Sequence, residues 1–202
     1  MAYERKDAYW RRAKREGYRS RAAYKLLEIQ ERFRILRKGD RVLDLGCAPG
    51  GWLQVIAPLV GSAGKVVGVD RLPVAPLPFA NTVVIRGDIQ DPAVRLAVRE
   101  TLGGAVHVVT SDMSPDLSGV GFQDHHRSCE LLRMALPFCR ELLLPQGSLL
   151  AKIFEGEEMN SLQRELATFF REVRRVIPKA SRKASSEVYL LAKGYRTDRS
   201  FR

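Results

Sequence analysis

A chain of 202 residues, 45% hydrophobic and 28% charged, is long enough for one sizeable core and short for two domains. We find no apolar run near 18 residues and no secretory leader, so we expect a cytoplasmic protein without a membrane span. The net charge of +11 lies at the ends: residues 1–41 hold 14 Lys/Arg and 6 Asp/Glu (+8), residues 171–202 hold 10 and 3 (+7), and residues 42–170 hold 10 and 14 (−4). Basic ends of this kind attract phosphate backbones and indicate a nucleic-acid partner.

The first 20 residues combine positive charge with aromatic side chains and offer little apolar surface to bury. We interpret residues 1–20 as a basic N-terminal arm that is partly disordered without a partner. Its aromatic side chains can stack on bases, and they stand at Tyr9, Trp10 and Tyr18. A single domain is expected over residues 21–202.

From residue 21 onwards, helical spacing alternates with short β-branched apolar runs. Helices are predicted at residues 21–34, with Ser20 as a candidate N-cap, and at Gly51–Val60, Pro92–Leu102, His125–Leu144 and Met159–Phe170. Strands are predicted at Arg41–Leu45, Lys65–Asp70, Thr82–Arg86, Ala105–Ser111, Ser148–Phe154, Glu172–Ile177 and Glu187–Ala192. The alternation predicts an α/β, Rossmann-like fold with a seven-stranded, mostly parallel sheet and helices on both faces. The connection Pro178–Ser185 is too short for a crossover helix, so the last strand should run antiparallel.

A glycine loop follows the first predicted strand, in the order strand, loop, helix. Gly46, Gly50 and Gly51 allow a tight turn and the close approach of a ligand to the main chain. Ala48 stands where a dinucleotide-binding loop would have its second glycine, and Pro49 follows it. The loop therefore does not look adapted to a pyrophosphate.

Acidic residues end the second and third predicted strands. Asp70 lies about 20 residues after the glycine loop, where a carboxylate commonly accepts from a ribose diol. Asp88 ends the third strand, where it can accept from an adenine amino group. Each signal is weak alone, but the glycine loop, Asp70 and Asp88 in this order indicate a nucleoside-containing cofactor.

Four further charged residues are candidates for chemistry. Lys152 lies within an apolar strand, where a lysine is costly unless it has a partner or a function. Asp112 follows the fourth strand, Glu187 opens the last strand and Lys25 lies on the first helix. If the fourth and fifth strands are neighbours, Asp112 and Lys152 converge beside the cofactor. Buried ion pairs without catalysis are the structural alternative.

The cysteines and histidines show no metal-ligand spacing, so no metal is expected. The cysteines are interpreted as small, partly buried hydrophobic residues of a reducing compartment, and they are Cys47, Cys129 and Cys139.

Over nearly its whole length the sequence resembles the FtsJ/RrmJ-type ribosomal RNA 2′-O-ribose methyltransferases. The matching segments are Ser20–Leu26, Asp44–Trp52, Ser111–Pro115, Lys152–Gly156 and Ser185–Tyr189. The resemblance implies an S-adenosylmethionine cofactor bound by Gly50, Trp52, Asp70, Asp88 and Asp112. It also implies a catalytic tetrad of Lys25, Asp112, Lys152 and Glu187. Ser114 and Cys47 depart slightly from the family pattern, and neither change alters a charged group.

The implied reaction transfers a methyl group to a ribose 2′-hydroxyl, and Lys152 is the candidate base. A free lysine is mostly protonated at neutral pH, so Lys152 can instead act as a fixed charge on the developing oxyanion. Asp112 would orient Lys152, Glu187 would hold it in place, and Lys25 would bind the ribose or a phosphate.

The implied target is a uridine of the A loop of 23S ribosomal RNA in the large ribosomal subunit, modified by a monomeric enzyme. Similar enzymes with the same tetrad methylate the tRNA anticodon loop or mRNA caps, so the tetrad alone does not identify the RNA substrate. Two alternatives from other classes are an NAD-dependent oxidoreductase, against which Ala48 and Lys152 argue, and a non-catalytic ribosome-assembly factor, against which the complete tetrad argues.

Overall fold

The computed structural model describes residues 7–181 and 185–197. Its helices are α1 (Ala8–Glu16), α2 (Ala22–Phe33), α3 (Gly51–Val60), α4 (Pro92–Leu102), α5 (Gly121–Leu142) and α6 (Met159–Phe169). Its strands are β1 (Arg41–Leu45), β2 (Lys65–Asp70), β3 (Thr82–Arg86), β4 (Val106–Ser111), β5 (Leu143–Phe154), β6 (Phe170–Val176) and β7 (Glu187–Tyr195). The predicted element types are therefore correct from residue 21 onwards, with shifts of a few residues at most of the later boundaries.

The seven strands form one sheet in the order β3-β2-β1-β4-β5-β7-β6. Neighbours from β3 to β5 are parallel, whereas β7 runs antiparallel to both β5 and β6. This confirms the predicted Rossmann-like fold and the antiparallel last strand. β4 and β5 pair directly, with Ser111 opposite Ala151, so Asp112, which follows β4, lies beside Lys152 of β5.

Helices cover both faces of the sheet, as predicted. One apolar cluster joins α2 and α3 to one face, and a second joins α4, α5 and α6 to the other. Consecutive strand residues serve opposite clusters: Leu149 packs with α5, whereas Leu150 packs with α2 and α3. The carboxyl ends of β1, β2, β3 and β4 consequently meet at one edge between two helical layers, where ligands bind in open α/β sheets.

The interpretation of residues 1–20 as a partly disordered arm is wrong for the part that the structure describes. Asp7 caps α1 by accepting from the amide of Trp10 at 2.9 Å, and Gly17 ends the helix with a φ of 78°. Ala13 is buried against Tyr24 and Ala180, and the rings of Tyr9 and Tyr18 pack on Tyr24. Residues 1–6 lie outside the described residues.

One smaller difference concerns the start of α2. Ser20 is not the N-cap of α2, which begins after Arg21 without a side-chain cap. No helix within the described ranges combines the length and the apolar character that crossing a membrane requires.

Candidate active site

A cleft of about 500 Å³ opens at the carboxyl edge of the sheet. Its lining comes from the glycine loop, the ends of β2 and β3, and the segment after β4, and includes Gly46, Ala48, Asp70, Leu72, Asp88, Asp112, Ser114 and Asp116. This volume lies within the range of small-molecule and cofactor pockets. Elements far apart in the sequence therefore form one concave site.

The first glycine of the loop is required for two reasons: its backbone conformation is left-handed, and there is no room for a side chain. Gly46 has a φ of +74°, and a Cβ at this position would lie 2.6 Å from the Met113 side chain. Arg19 ties the loop to the segment after β2, because its guanidinium donates to the carbonyls of Pro49 and Ala75, at 3.2 and 2.6 Å. The last residues of the predicted arm thus brace the cleft.

Two carboxylates face the cleft with defined partners. The oxygens of Asp70 accept from the amides of Ala48 and Leu72, both at 2.8 Å, so Asp70 fixes the glycine loop against the end of β2. Asp88 accepts from the amide of Gln90 at 2.9 Å. An ionised carboxylate offers about four acceptor positions, so both groups retain capacity for hydroxyl or amino donors.

Asp112 and Lys152 meet where β4 ends beside β5. Lys152 Nζ donates to the Asp112 carbonyl at 2.8 Å and lies 3.4 Å from its Oδ1. Lys152 is 8% exposed, so its amino group is largely desolvated. Asp112 also lines the cleft, and it is therefore the residue that joins the cleft to the lysine.

Lys25 and Glu187 form a second pair beside the first. Lys25 Nζ lies 2.6 Å from Glu187 Oε2, and both side chains are mostly buried. Burial alone would raise the pKa of Glu187, but the positive charges of Lys25 and Lys152 outweigh it and hold that pKa below its usual range. The structure thus places Glu187 against Lys25, whereas the resemblance led us to expect that Glu187 holds Lys152 directly.

Tyr189 underlies both pairs and was not singled out from the sequence. It lies opposite Lys152 in the β5–β7 ladder, is fully buried, and donates from its hydroxyl to Asp112 Oδ1 at 3.0 Å. Burial and the neighbouring carboxylates of Asp112 and Glu187 raise its pKa well above the usual value, so the phenol remains a proton donor. Its ring also lies 5.9 Å from Lys25 Nζ.

Asp44 is a second group that the sequence interpretation missed. It is fully buried in β1 and accepts from the Thr110 hydroxyl at 2.6 Å, while its Oδ2 has no hydrogen-bond partner. Burial, together with the charges of Asp112 and Asp70, raises the pKa of Asp44 to about 8 although the Thr110 hydrogen bond lowers it. This carboxyl is therefore mostly protonated at neutral pH.

The family model described as FtsJ-like methyltransferase matches residues 18–195, which include the cleft and both ion pairs. The chain belongs to the FtsJ-like methyltransferase family. The resemblance read from the sequence motifs is thereby confirmed.

Several FtsJ-like proteins are similar over nearly the whole chain. A protein of Natronomonas pharaonis named ribosomal RNA large subunit methyltransferase E is 48% identical over 190 residues, which cover 94% of this chain and 74% of that protein. A protein of the same name from Methanothermobacter thermautotrophicus is 43% identical over 196 residues, covering 97% and 93%. A crystal structure described as a ribosomal RNA methyltransferase from Plasmodium falciparum has a TM-score of 0.78 at 30% identity, covering 88% and 98%.

Not every residue that the FtsJ-like resemblance assigned to the cofactor lines the cleft. Asp70, Asp88 and Asp112 do, whereas Gly50 and Trp52 lie outside its lining. Gly50 starts α3 with a φ of 106°. Trp52 is 3% exposed, donates from Nε1 to the Ala22 carbonyl at 2.9 Å, and packs its ring 5.8 Å from that of Tyr189. Trp52 thus supports α2 and β7 behind the site.

The structure also brings His125, Cys129 and Glu158 together, with potential ligand atoms within 4.8 Å of one another. Both ring nitrogens of His125 are engaged by the main chain: Nε2 accepts from the Glu158 amide at 3.0 Å, so Nδ1 carries the proton and donates to the Phe154 carbonyl at 2.7 Å. Ser128 accepts from the Phe154 amide at 3.0 Å. These contacts fasten the end of β5, two residues beyond Lys152, to α5. Cys47, Cys129 and Cys139 are buried free thiols.

Proposed function

We propose that the protein transfers a methyl group from S-adenosylmethionine to a ribose 2′-hydroxyl of RNA, and that the target is a uridine in the A loop of 23S ribosomal RNA. The main support for this proposal is that Asp112 both lines the cleft and holds Lys152. A cofactor in the cleft would therefore lie next to the lysine that handles the proton. Relatives named for the large ribosomal subunit favour ribosomal RNA over tRNA. The proposal includes a monomeric, metal-free protein acting in the cytoplasm.

The cleft offers carboxylate acceptors that would bind the hydroxyl and amino groups of S-adenosylmethionine. Asp70 has acceptor capacity for the two ribose hydroxyls, and Asp88 for the adenine amino group. Asp112 belongs to both the cleft lining and the tetrad, so the methionine end of the cofactor would lie beside it. When bound, the cofactor supplies an activated methyl group. Cofactor binding by Gly50 and Trp52 stays a prediction, because neither residue lines the cleft. Trp52 is buried and would act from behind the lining.

The tetrad residues orient the acceptor hydroxyl and handle its proton. Two N–H groups of Lys152 satisfy the contacts to the Asp112 carbonyl and Oδ1, which leaves a neutral amine one lone pair for the 2′-hydroxyl proton. A protonated Lys152 would instead direct its third N–H at the developing oxyanion. Glu187 forms an ion pair with Lys25, whose ammonium would bind the ribose or a phosphate.

The substrate assignment is tested by identifying the modified nucleotide. Labelled cofactor is incubated with separated tRNA, ribosomal RNA and large ribosomal subunits, and the methylated position is mapped. We expect one 2′-O-methylated uridine in large-subunit RNA. Label in the tRNA anticodon loop would show that the substrate is tRNA and not ribosomal RNA. Label in no RNA would contradict the proposed function.

Removing the Asp70 carboxylate should weaken cofactor binding. Asp70→Ala is expected to raise the dissociation constant of S-adenosylmethionine about 5- to 150-fold, the effect of roughly 1–3 kcal/mol for unpaired buried hydroxyls. Calorimetric titration measures this change. Asp91→Ala, at the exposed N-cap of α4, is the control and should bind like the wild type. Unchanged affinity of Asp70→Ala would remove Asp70 from the site.

The exposed cations of α1 should contribute to RNA affinity and not to cofactor binding. Arg11 and Arg15 are exposed and one helical turn apart, so Arg11→Gln with Arg15→Gln removes two charges while the packed face of α1 stays intact. We expect weaker RNA binding and a salt dependence (log K against log salt) shallower by about 0.7 for each lost phosphate contact. Binding is measured by fluorescence anisotropy at several salt concentrations.

The matched control neutralises Arg99 and Arg140, which are exposed on α4 and α5. Substitution is cleaner than deletion of residues 1–18, because Gln54 on α3 donates to the Gly17 carbonyl at 2.9 Å and accepts from the Arg19 amide at 2.7 Å. Equal salt slopes for the α1 variant and the control would show that α1 makes no phosphate contact.

A further inference from the structure

The segment between β4 and α5, together with the first two residues of α5, presents apolar side chains to solvent next to the cleft. We call residues 113–122 the rim loop; it begins directly after Asp112, and its Ser114 and Asp116 line the cleft. Three of its side chains are at least half exposed: Leu117 at 63%, Val120 at 50% and Phe122 at 68%. Exposed apolar groups clustered beside a site commonly mark a binding surface.

The rim loop is held in one conformation by groups at its base. Asp124 accepts from the amide and hydroxyl of Ser118, at 2.7 and 2.8 Å, and from the Gly119 amide at 3.2 Å. These bonds, led by the Ser118 amide, hold the pKa of Asp124 below its usual range, so the carboxylate remains ionised. Arg127 donates to the Asp116 carbonyl at 3.0 Å. The exposed side chains are therefore displayed by a braced loop.

Charge separates the two sides of the tetrad. The rim loop leads into α5 on one face of the sheet, whereas α2, with α1 packed on it, covers the other face. From Met113 to His126 the chain contains no lysine or arginine, and Asp116 and Asp124 are acidic. α1, in contrast, carries four cations in nine residues. Phosphates are thus attracted to the α1–α2 side, whereas the rim loop has no positively charged side chain to bind them.

We infer that the rim loop binds an unstacked base that flanks the methylated nucleotide, with Phe122 as the stacking platform. This inference rests on the proposed function, which brings the acceptor ribose to Lys152. Asp112 holds Lys152 and directly precedes the rim loop, so a nucleotide next to the acceptor comes close to the rim. The backbone lies toward α1 and α2, and the bases turn toward α5. Bases carry apolar faces that stack on aromatic rings without regard to sequence. The RNA is thereby oriented across the site with its backbone on the α1–α2 side and its bases on the α5 side.

The test is a titration of the RNA substrate in single-turnover methylation. Phe122→Ala should raise the half-saturating concentration of substrate roughly 5- to 150-fold, the contribution of one stacked base, with the saturating rate and cofactor affinity near wild type. Phe122→Trp should retain wild-type affinity, and Phe122→Leu should lose most of it, because leucine keeps the apolar area without a ring. The loss should be similar at roughly 50 and 200 mM salt, since stacking releases no counterions.

Leu96→Ala is the matched control, because Leu96 is 52% exposed on α4 away from the cleft, and it should behave like the wild type. The inference is overturned if Phe122→Ala matches this control. It is equally overturned if leucine restores affinity as well as tryptophan does, which would identify an apolar protein surface as the partner. A wild-type protein that methylates no RNA would overturn the proposed function and this inference together, whereas active wild type with unaffected Phe122→Ala overturns this inference alone.

Discussion

Replacing Lys152 by alanine is expected to lower the single-turnover rate of methyl transfer by about 10²–10⁴, the usual contribution of a general base or oxyanion group. The reason is the fixed, desolvated position of its amine, 8% exposed and held by the Asp112 carbonyl and carboxylate. Affinities for cofactor and RNA should stay near wild type. Rapid-quench assays with saturating cofactor and RNA measure the rate.

Lys193→Ala is the matched control, because Lys193 lies on β7 at the opposite end of the β5–β7 ladder, paired with Ser148. Its rate should equal that of the wild type. Glu187→Ala should be milder than Lys152→Ala, because Glu187 contacts Lys25 and acts on Lys152 only through its charge. A wild-type rate for Lys152→Ala, together with a large loss for Asp112→Ala, would contradict this assignment.

Lys152→Arg separates the two roles of the lysine. A guanidinium keeps its proton in proteins, so arginine cannot act as a base. If proton abstraction is required, Lys152→Arg should lose nearly as much rate as Lys152→Ala. Recovery of most of the rate would show that Lys152 serves as a fixed positive charge.

Much of the site could be predicted from the sequence, because residues at the carboxyl ends of neighbouring parallel strands come together in the fold. Asp70, Asp88 and Asp112 lie at or just beyond the carboxyl end of a strand, and parallel strands end at one edge, so their convergence follows from the fold class. Lys152 was recognisable because a charge within an apolar strand is costly without a partner. Its partner Asp112 followed once β4 and β5 were assumed to be neighbours, which the sheet confirms.

The features that escaped prediction depend on signals that were overlooked or on tertiary contacts. Asp7 and Gly17 are the cap residues of α1 and were visible, but the high charge of the segment suggested an arm without structure. Asp44 interrupts an apolar strand as Lys152 does, and the same argument applies to it. The pairing of Lys25 with Glu187 joins residues 162 positions apart and could not be read from spacing.

The stability of the wild-type protein should fall as the pH rises through the range in which Asp44 ionises. Burial and the charges of Asp112 and Asp70 raise its folded pKa to about 8, against an ordinary value of 3.8. Between these values the folded state binds a proton that the unfolded state has released. The stabilisation from this proton is thus complete below about pH 4 and is lost by about pH 8.

Asp44→Asn should remove this pH dependence, because an amide does not titrate. The unfolding free energy of Asp44→Asn relative to wild type should increase by roughly 2–5 kcal/mol from pH 4 to pH 9, since one pKa unit corresponds to about 1.4 kcal/mol. The amide nitrogen at the unpartnered Oδ2 position adds a constant cost, so the slope and not the absolute difference is the readout. Urea unfolding at several pH values measures it, with Asp91→Asn as the exposed carboxylate-to-amide control. Parallel pH profiles for Asp44→Asn and wild type would show that Asp44 does not hold a proton in the folded state.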